Sequence, residues 1–183
     1  GPPLSYEAAE RARLFGTRTS WLLADVVDFP SEQLRVRFSP EQPNPIALRI
    51  ELGQNRDTEA AAAMGPGGSW ALSYPRDQQQ GIVAFLEAAS SSTDALLAVD
   101  MPTRFFQPQL LFRDGLLLAS GSDGVGISSL YSVDISGVTD RLEGCGFPQF
   151  VGPTHLVPGL QPGEWWFTAT DASDTIWVLY GLR

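Results

Sequence analysis

Residues 34 to 38, LRVRF, alternate strictly between apolar and charged side chains. Leu34, Val36 and Phe38 are apolar, and an arginine stands in each gap between them. Because successive side chains of a strand point to opposite faces of a sheet, this pattern predicts a strand with one buried and one solvated face. Half-buried strands of this kind are typical of antiparallel sheets.

Further stretches carry strand signals along the whole chain. Two of them predict hairpins: QLLFRDGLLLAS at 109 to 120 turns at Asp-Gly, which supplies the positive φ angles of tight hairpins, and EWWFTAT with TIWVLYGL turns across DASD. The single strands are predicted at WLLADVV (21 to 27), IALRIEL (46 to 52), SWALSY (69 to 74), ALLAVDMP (95 to 102) and SLYSVDI (129 to 135). No convincing sequence repeat is apparent.

Three stretches predict short helices. Ser5 can cap a helix over 6 to 15, and an apolar i, i+3, i+4, i+7 pattern predicts a second helix over 78 to 89. Val138, Leu142 and Cys145 fall on one face of a third, over 137 to 145. The expected fold class is therefore α+β, a mainly antiparallel β-sheet with two or three short helices.

Length and composition favour one globular domain. The 183 residues are 43% hydrophobic, which is enough to bury one sizeable core, so we expect a single domain over 1 to 183. Gly1-Pro2 at its start is typical of a protease-cleavage scar. The formal net charge of -9 disfavours a nucleic-acid partner. No apolar run is long enough to span a membrane, which needs about 18 residues. The sequence does not indicate the oligomeric state.

The sequence offers little for catalysis or metal binding. Cys145 and His155 are the only cysteine and histidine, so neither a zinc site nor an intramolecular disulfide is expected. The helical spacing favours Cys145 as a small buried hydrophobe, although a link to a second chain or a redox thiol remains an alternative. His155 lies between prolines without a nucleophile motif, so we expect a loop histidine. We predict no catalytic residue, metal or cofactor.

The adjacent tryptophans are the best candidates for a binding site. On a strand, Trp165 and Trp166 point to opposite faces, so one can be exposed while the other packs inward. An exposed tryptophan beside Glu164 would stack on a sugar ring or anchor a protein partner. Packing of both rings at the edge of the core is the plainer alternative.

Residues 78 to 146 resemble a group of exported bacterial proteins. The order IVAFLEAASSSTDALLAVDMP and then LLFRDGLLLASGSDGVGISSLYSVDISGVTDRLEGCG resembles proteins of the invasion-associated locus B, DUF1176 and type VI secretion VasI kind. The chain lacks the further cysteines that many of these proteins carry. The resemblance implies a periplasmic or secreted envelope protein without known catalytic residues.

Two functions follow as hypotheses. The first is a non-enzymatic exported envelope protein that binds a protein partner, its acidic surface favouring a basic patch there. The second is a carbohydrate-binding module or carbohydrate-processing enzyme that uses an exposed tryptophan and paired acidic residues. A cleft with facing carboxylates would favour the second function, and a flat or convex surface would favour the first.

Overall fold

The computed structural model describes residues 11–16, 21–27, 33–38, 46–49, 60–76, 79–86, 97–113, 115–134, 136, 139–142 and 148–181. These residues form fifteen strands and one short 3-10 turn at Pro66–Gly68. The strands are β1 (Arg11–Gly16), β2 (Trp21–Val27), β3 (Gln33–Phe38), β4 (Ile46–Arg49), β5 (Ala61–Met64), β6 (Trp70–Pro75), β7 (Gly81–Leu86), β8 (Leu97–Met101), β9 (Phe106–Arg113), β10 (Leu116–Ser122), β11 (Ile127–Val133), β12 (Thr139–Arg141), β13 (Phe150–Pro158), β14 (Trp165–Asp171) and β15 (Ile176–Gly181).

All the strands pair antiparallel, in three sheets. The first sheet has the order β1-β2-β3-β4 and the second β5-β6-β7-β8. The third has the order β15-β14-β13-β11-β10-β9, and β12 also pairs with β11. The fold is thus all-β and β-sandwich-like, and the predicted α+β class is wrong. The predicted antiparallel sheet and the β-rich character are confirmed.

The predicted helix over 78 to 89 is replaced by β7. Its six residues, GIVAFL, are all buried. A strand covered on both faces needs a continuous apolar run, and such a run also contains every helical spacing. The i, i+3, i+4, i+7 pattern was therefore a by-product of burial on two sides, and the β-branched Ile82 and Val83 favour the strand.

The other two predicted helices are also wrong where the structure describes them. Residues 11–16 pair with β2, and residues 139–141 pair with the end of β11. In both cases cross-strand pairing overrides a weak local helix signal. Leu142, expected on an apolar helix face, is exposed. Cys145 and residues 6–10 lie outside the described residues.

The sheets stack into successive layers with a hydrophobic core at each contact. Leu22 and Leu34 of the first sheet pack against Trp70 and Leu72 of the second. The opposite face of the second sheet packs on β10 and β11, for example through Val83. Within the third sheet, β13 pairs with β11 only at Phe150 and Val151 and is irregular between Val151 and His155. β13 and β14 also pack on the far face of β10 and β11 in a third cluster: Leu118, Leu130, Phe150, Leu156, Phe167 and Ala169.

The structure contains a repeat that the sequence conceals. Three hairpins, β6–β7, β10–β11 and β14–β15, are each closed by a backbone N–H donating to the carbonyl four residues later. The donors are Arg76, Asp123 and Asp171, with N···O distances of 2.9, 2.8 and 3.0 Å, and their spacing is about 47 residues. The β5–β6 hairpin is closed in the same way, by Gly65 N donating to Ser69 O at 2.8 Å. We call β1–β4, β5–β8, β9–β12 and β13–β15 the first to fourth units.

Gln109 links the third unit to the fourth. Its side-chain Nε2 donates to the carbonyl of Thr154 at 2.7 Å, and its Oε1 accepts from the Leu156 backbone N–H at 2.6 Å. Thr154 and Leu156 are both buried in β13. β9 lies beside β13 without pairing with it, and the side-chain amide of Gln109 bonds the two backbone groups of β13 that a paired strand would otherwise bond.

None of the described residues belongs to a helix with the length and apolar character to cross a membrane.

Candidate functional site

The outermost layer of the stack presents one broad apolar surface to solvent. Strand alternation turns Leu156, Phe167 and Ala169 inward to the third core cluster, and it turns their neighbours outward. The outward side chains of the fourth unit form three cross-strand rows, which we call the outer face: Val157, Trp166 and Tyr180; His155, Thr168 and Val178; and Thr170 and Ile176.

The outer face is exposed to an unusual degree for such side chains. Ile176 is 72%, Tyr180 68%, Val178 52% and Trp166 37% exposed. Large apolar side chains scattered singly over a surface are ordinary, but contiguous ones mark interaction sites. The surface belongs to a pleated sheet, and its eight side chains include neither an acidic residue nor an arginine.

Trp166 and Tyr180 form an aromatic pair at one end of the outer face. They lie directly opposite each other on β14 and β15, with ring centroids 5.4 Å apart and planes tilted by 31°. This separation lies in the range of favourable offset ring packing. Each ring thereby fixes the other, so both can contact a partner with little loss of side-chain entropy.

The two tryptophans lie on opposite faces of β14, as alternation predicts. Trp165 points inward and is half-buried, packed against the third core cluster. Its indole covers Gly181 on β15: a Cβ built on Gly181 would lie 2.3 Å from ring atoms of Trp165. Trp165 therefore supports the sheet from behind, while Trp166 faces solvent.

Glu164 is committed to the turn between β13 and β14. Its Oε2 accepts from the Gln161 backbone N–H at 2.9 Å, and its carbonyl accepts from the Gly159 N–H at 2.8 Å. The Arg113 guanidinium donates to the carbonyls of Gly159, Gln161 and Glu164 at 3.1, 2.8 and 3.2 Å. Of the three candidate ligand-binding residues, only Trp166 lies on the outer face.

Asp171 is held in a dense network at the β14–β15 turn. Its Oδ1 accepts from the Ser173 hydroxyl and from the backbone N–H groups of Ser173 and Thr175, and its Oδ2 accepts from Trp177 Nε1 at 2.8 Å. The Ser173 hydroxyl first, then Trp177, lowers the pKa of Asp171 to about 2. The group is ionised at neutral pH and organises the turn.

The other carboxylates with defined contacts also support local structure. Asp123 Oδ1 accepts from the N–H groups of Val125 and Ile127, as Asp171 does from its own turn. Asp100 pairs with Arg76 at 2.6 Å, and Asp134 accepts from the Ser136 N–H. Carboxylates used in this way are poor candidates for acid and base catalysis.

In the part of the chain that the structure describes, no three histidine, cysteine, aspartate or glutamate side chains cluster in a way that could hold a metal ion. His155 is exposed on the outer face, opposite Thr168. A metal ligand set is not formed around it by the described residues.

The sequence analysis predicted β15 as a strand but did not name its side chains as candidate site residues. Tyr180, Val178 and Ile176 contribute the most exposed apolar side chains of the outer face. The signal was present in IWVLYG: this strand lies at the edge of a sheet, yet the residues on both of its faces are apolar. A strand with one solvated face ordinarily carries polar residues on that face, so their absence was informative.

Comparison with known proteins identifies no family. No family model matches the chain, and no curated protein matches it. Solved structures give distant likenesses. A GH43 β-xylosidase/α-arabinofuranosidase from a compost microbial metagenome, in complex with xylotriose, has a TM-score of 0.45 and 11% identity over 93% of this chain and 68% of its own. The GH43 endo-arabinanase from Bacillus licheniformis has a TM-score of 0.39 and 13% identity over 93% and 71%. TM-scores this low support no functional conclusion.

Proposed function

We propose that this protein is a non-enzymatic binding protein of the bacterial envelope, exported to the periplasm or secreted, which binds a protein partner through the outer face. The observation that carries the proposal is the contiguous apolar surface that Val157, Trp166, Tyr180, Val178 and Ile176 expose on the outer face, with Trp166 and Tyr180 as its anchors. Aromatic anchors on an apolar patch are the usual centre of a protein interface. The exported location derives from the resemblance of residues 78 to 146.

The shape and chemistry of the outer face favour binding over catalysis. Small-molecule and catalytic sites are concave and bring polar groups together, whereas this surface is one face of a sheet. The carboxylates at the two ends of β14, Glu164 and Asp171, are engaged in their own turns. The net charge of -9 lies elsewhere on the molecule, where it favours a partner with a basic rim around an apolar centre.

Affinity capture from a bacterial envelope extract, followed by titration of the purified captured protein, tests the proposal. The Trp166→Ala/Tyr180→Ser variant should bind the captured protein at least about tenfold more weakly, because centrally placed aromatic residues dominate interface energies. Val125→Ser is the matched control, since Val125 is as exposed as any side chain of the outer face but lies on the β10–β11 turn. Equal affinity of all three proteins would contradict the proposal.

Carbohydrate binding is the second candidate, favoured by the same aromatic pair. Indole and phenol rings stack on the apolar faces of sugars, and the hydroxyls of Thr168 and Thr170 lie on the same surface. Titration of the purified chain with soluble polysaccharides distinguishes the two candidates. Saturable binding that is lost in Trp166→Ala/Tyr180→Ser would establish the carbohydrate function instead.

A further inference from the structure

His155 is the one residue of the outer face whose charge can change near neutral pH. The chain contains a single histidine, and histidine is the side chain that ordinarily titrates between pH 5 and 8. Tyrosine, the other titratable residue type on this face, loses its proton only in alkaline solution. A change in the charge of the outer face over this range is therefore a change in the charge of His155.

Strand pairing places His155 in the middle row of the outer face. It lies within β13 opposite Thr168 on β14, and Thr168 lies opposite Val178 on β15. Val157, two residues further along β13, belongs to the next row and lies opposite Trp166. The imidazole is exposed, whereas the two chain neighbours of His155 are buried. A partner that covers the aromatic pair and Val178 therefore also covers the imidazole.

Among the described residues, the strands around His155 supply no charged side chain that pairs with its imidazole. Its neighbours on this face of β14 and β15 are aromatic, aliphatic or threonine side chains. β9 lies beside β13 and bonds to it through the uncharged side chain of Gln109. The guanidinium of Arg113, also on β9, is held by three carbonyls of the β13–β14 turn.

The carboxylates of the two turns that flank β14 lie outside the three rows of the outer face. Glu164 precedes β14 and is bonded within its own turn. Asp171 ends β14 and accepts hydrogen bonds from the turn that follows and from Trp177, and Asp174 lies in that turn. Water is therefore what stabilises a charged imidazole at His155 in the free protein.

We propose that protonation of His155 weakens binding of the protein partner to the outer face, so that the partner binds near neutral pH and dissociates in mildly acidic solution. This inference rests on the proposed function and adds its regulation. Covering the outer face removes water from the imidazole, and an unpaired charge is unfavourable once it is taken out of water. The partner proposed above has an apolar centre and a basic rim, which offer an imidazolium no opposite charge.

Proton linkage gives the direction of the pH dependence. As the pH falls, the free protein takes up a proton at His155, whereas the complex keeps the imidazole neutral, so the affinity falls with the pH. Once most of the free protein is protonated, each further pH unit lowers the affinity about tenfold. The dissociation constant should therefore rise at least about tenfold between about pH 7.5 and about pH 5.

Titration of the captured protein against the full chain and two variants, at about pH 7.5 and about pH 5, tests the inference. His155→Gln is neutral at both pH values and His155→Arg is charged at both; because His155 is exposed, both should fold. The unaltered chain should bind at least about tenfold more weakly at the lower pH, and the two constants should differ less than about twofold for each variant. His155→Arg should bind at both pH values about as weakly as the unaltered chain at the lower pH.

Retention on an uncharged octyl resin gives the same comparison without a partner. At about pH 7.5, Trp166→Ala/Tyr180→Ser should elute before the unaltered chain, which ties retention to the outer face. At about pH 5, the unaltered chain should elute before His155→Gln, because the two proteins then differ by the charge at residue 155.

The outcomes separate this inference from the proposed function. Regulation by His155 is overturned if the unaltered chain and His155→Gln have the same ratio of dissociation constants and elute together at about pH 5. Weaker binding by Trp166→Ala/Tyr180→Ser in the same titration would still leave the outer face as the binding surface. Tighter binding at the lower pH that is lost in His155→Gln would also overturn the inference, because the partner would then supply a carboxylate to a charged His155.

Discussion

Gln109→Leu is expected to destabilise the protein by breaking the link between the third and fourth units. The substitution preserves side-chain bulk but leaves the Thr154 carbonyl and the Leu156 N–H without their partners at 2.7 and 2.6 Å. Each buried backbone group left unsatisfied costs about 1–3 kcal/mol. Part of that loss is offset by about 1 kcal/mol from the added apolar surface. Two such groups cost about 2–6 kcal/mol before this offset, so the expected loss in free energy of unfolding is about 1–5 kcal/mol.

Urea denaturation followed by circular dichroism measures this loss. The midpoint should fall while the slope stays the same, which indicates a change in stability rather than in the surface exposed. Gln161→Leu is the matched control: it makes the same change at an exposed residue whose defined hydrogen bonds come from its backbone, and it should cost less than about 0.5 kcal/mol. Equal midpoints for the two variants would refute the assigned role of Gln109.

Two further predictions concern the fourth unit. Gly181→Ala should lower the free energy of unfolding by about 1–3 kcal/mol, because its Cβ would meet the Trp165 indole at 2.3 Å. In a Trp165→Leu background, urea denaturation should show that most of this loss has disappeared. A loss of the same size in both backgrounds would contradict the contact. The pKa of Asp171, lowered from 3.8 to about 2, implies a stabilisation that is present above about pH 4 and is lost as the pH falls towards 2. Asp171→Asn should flatten this acid-induced fall of the urea midpoint, while Asp174→Asn should retain it; parallel curves for both variants would count against the network.

The strands were predictable where the pattern is local. Alternation at residues 34 to 38 and the turn chemistry of Arg-Asp-Gly and DASD predicted β3 and the two hairpins. β7 was not predictable in this way, because burial on both faces erases the period that distinguishes a strand from a helix. The repeat is not visible in the sequence because its units share a backbone hydrogen bond and not a residue type: Arg76 donates this bond in one unit and Asp123 donates it in another.

One part of the candidate site, the opposite orientation of Trp165 and Trp166, was predictable because side chains alternate along a strand. Adjacent tryptophans on a strand must diverge, so the sequence indicated that one of Trp165 and Trp166 could be exposed. It could not indicate which one, since the two residues are chemically identical and only the third core cluster distinguishes the faces. The engagement of Glu164 in its turn was not predictable, because its partners, Gln161 and the turn beside Arg113, depend on loop geometry and on a strand some 50 residues away.

Because similar units stack one after another, the stability of the molecule can be described as that of a linear array of units. In such arrays stability is approximately the sum of the intrinsic terms of the units and the coupling between neighbours. Among the described residues, the second sheet packs on both faces, whereas the first unit packs on the second sheet and the fourth unit packs on β9–β11. Thermal fluctuations should therefore fray the array from its two terminal units inward, and the second and third units should be the last to open.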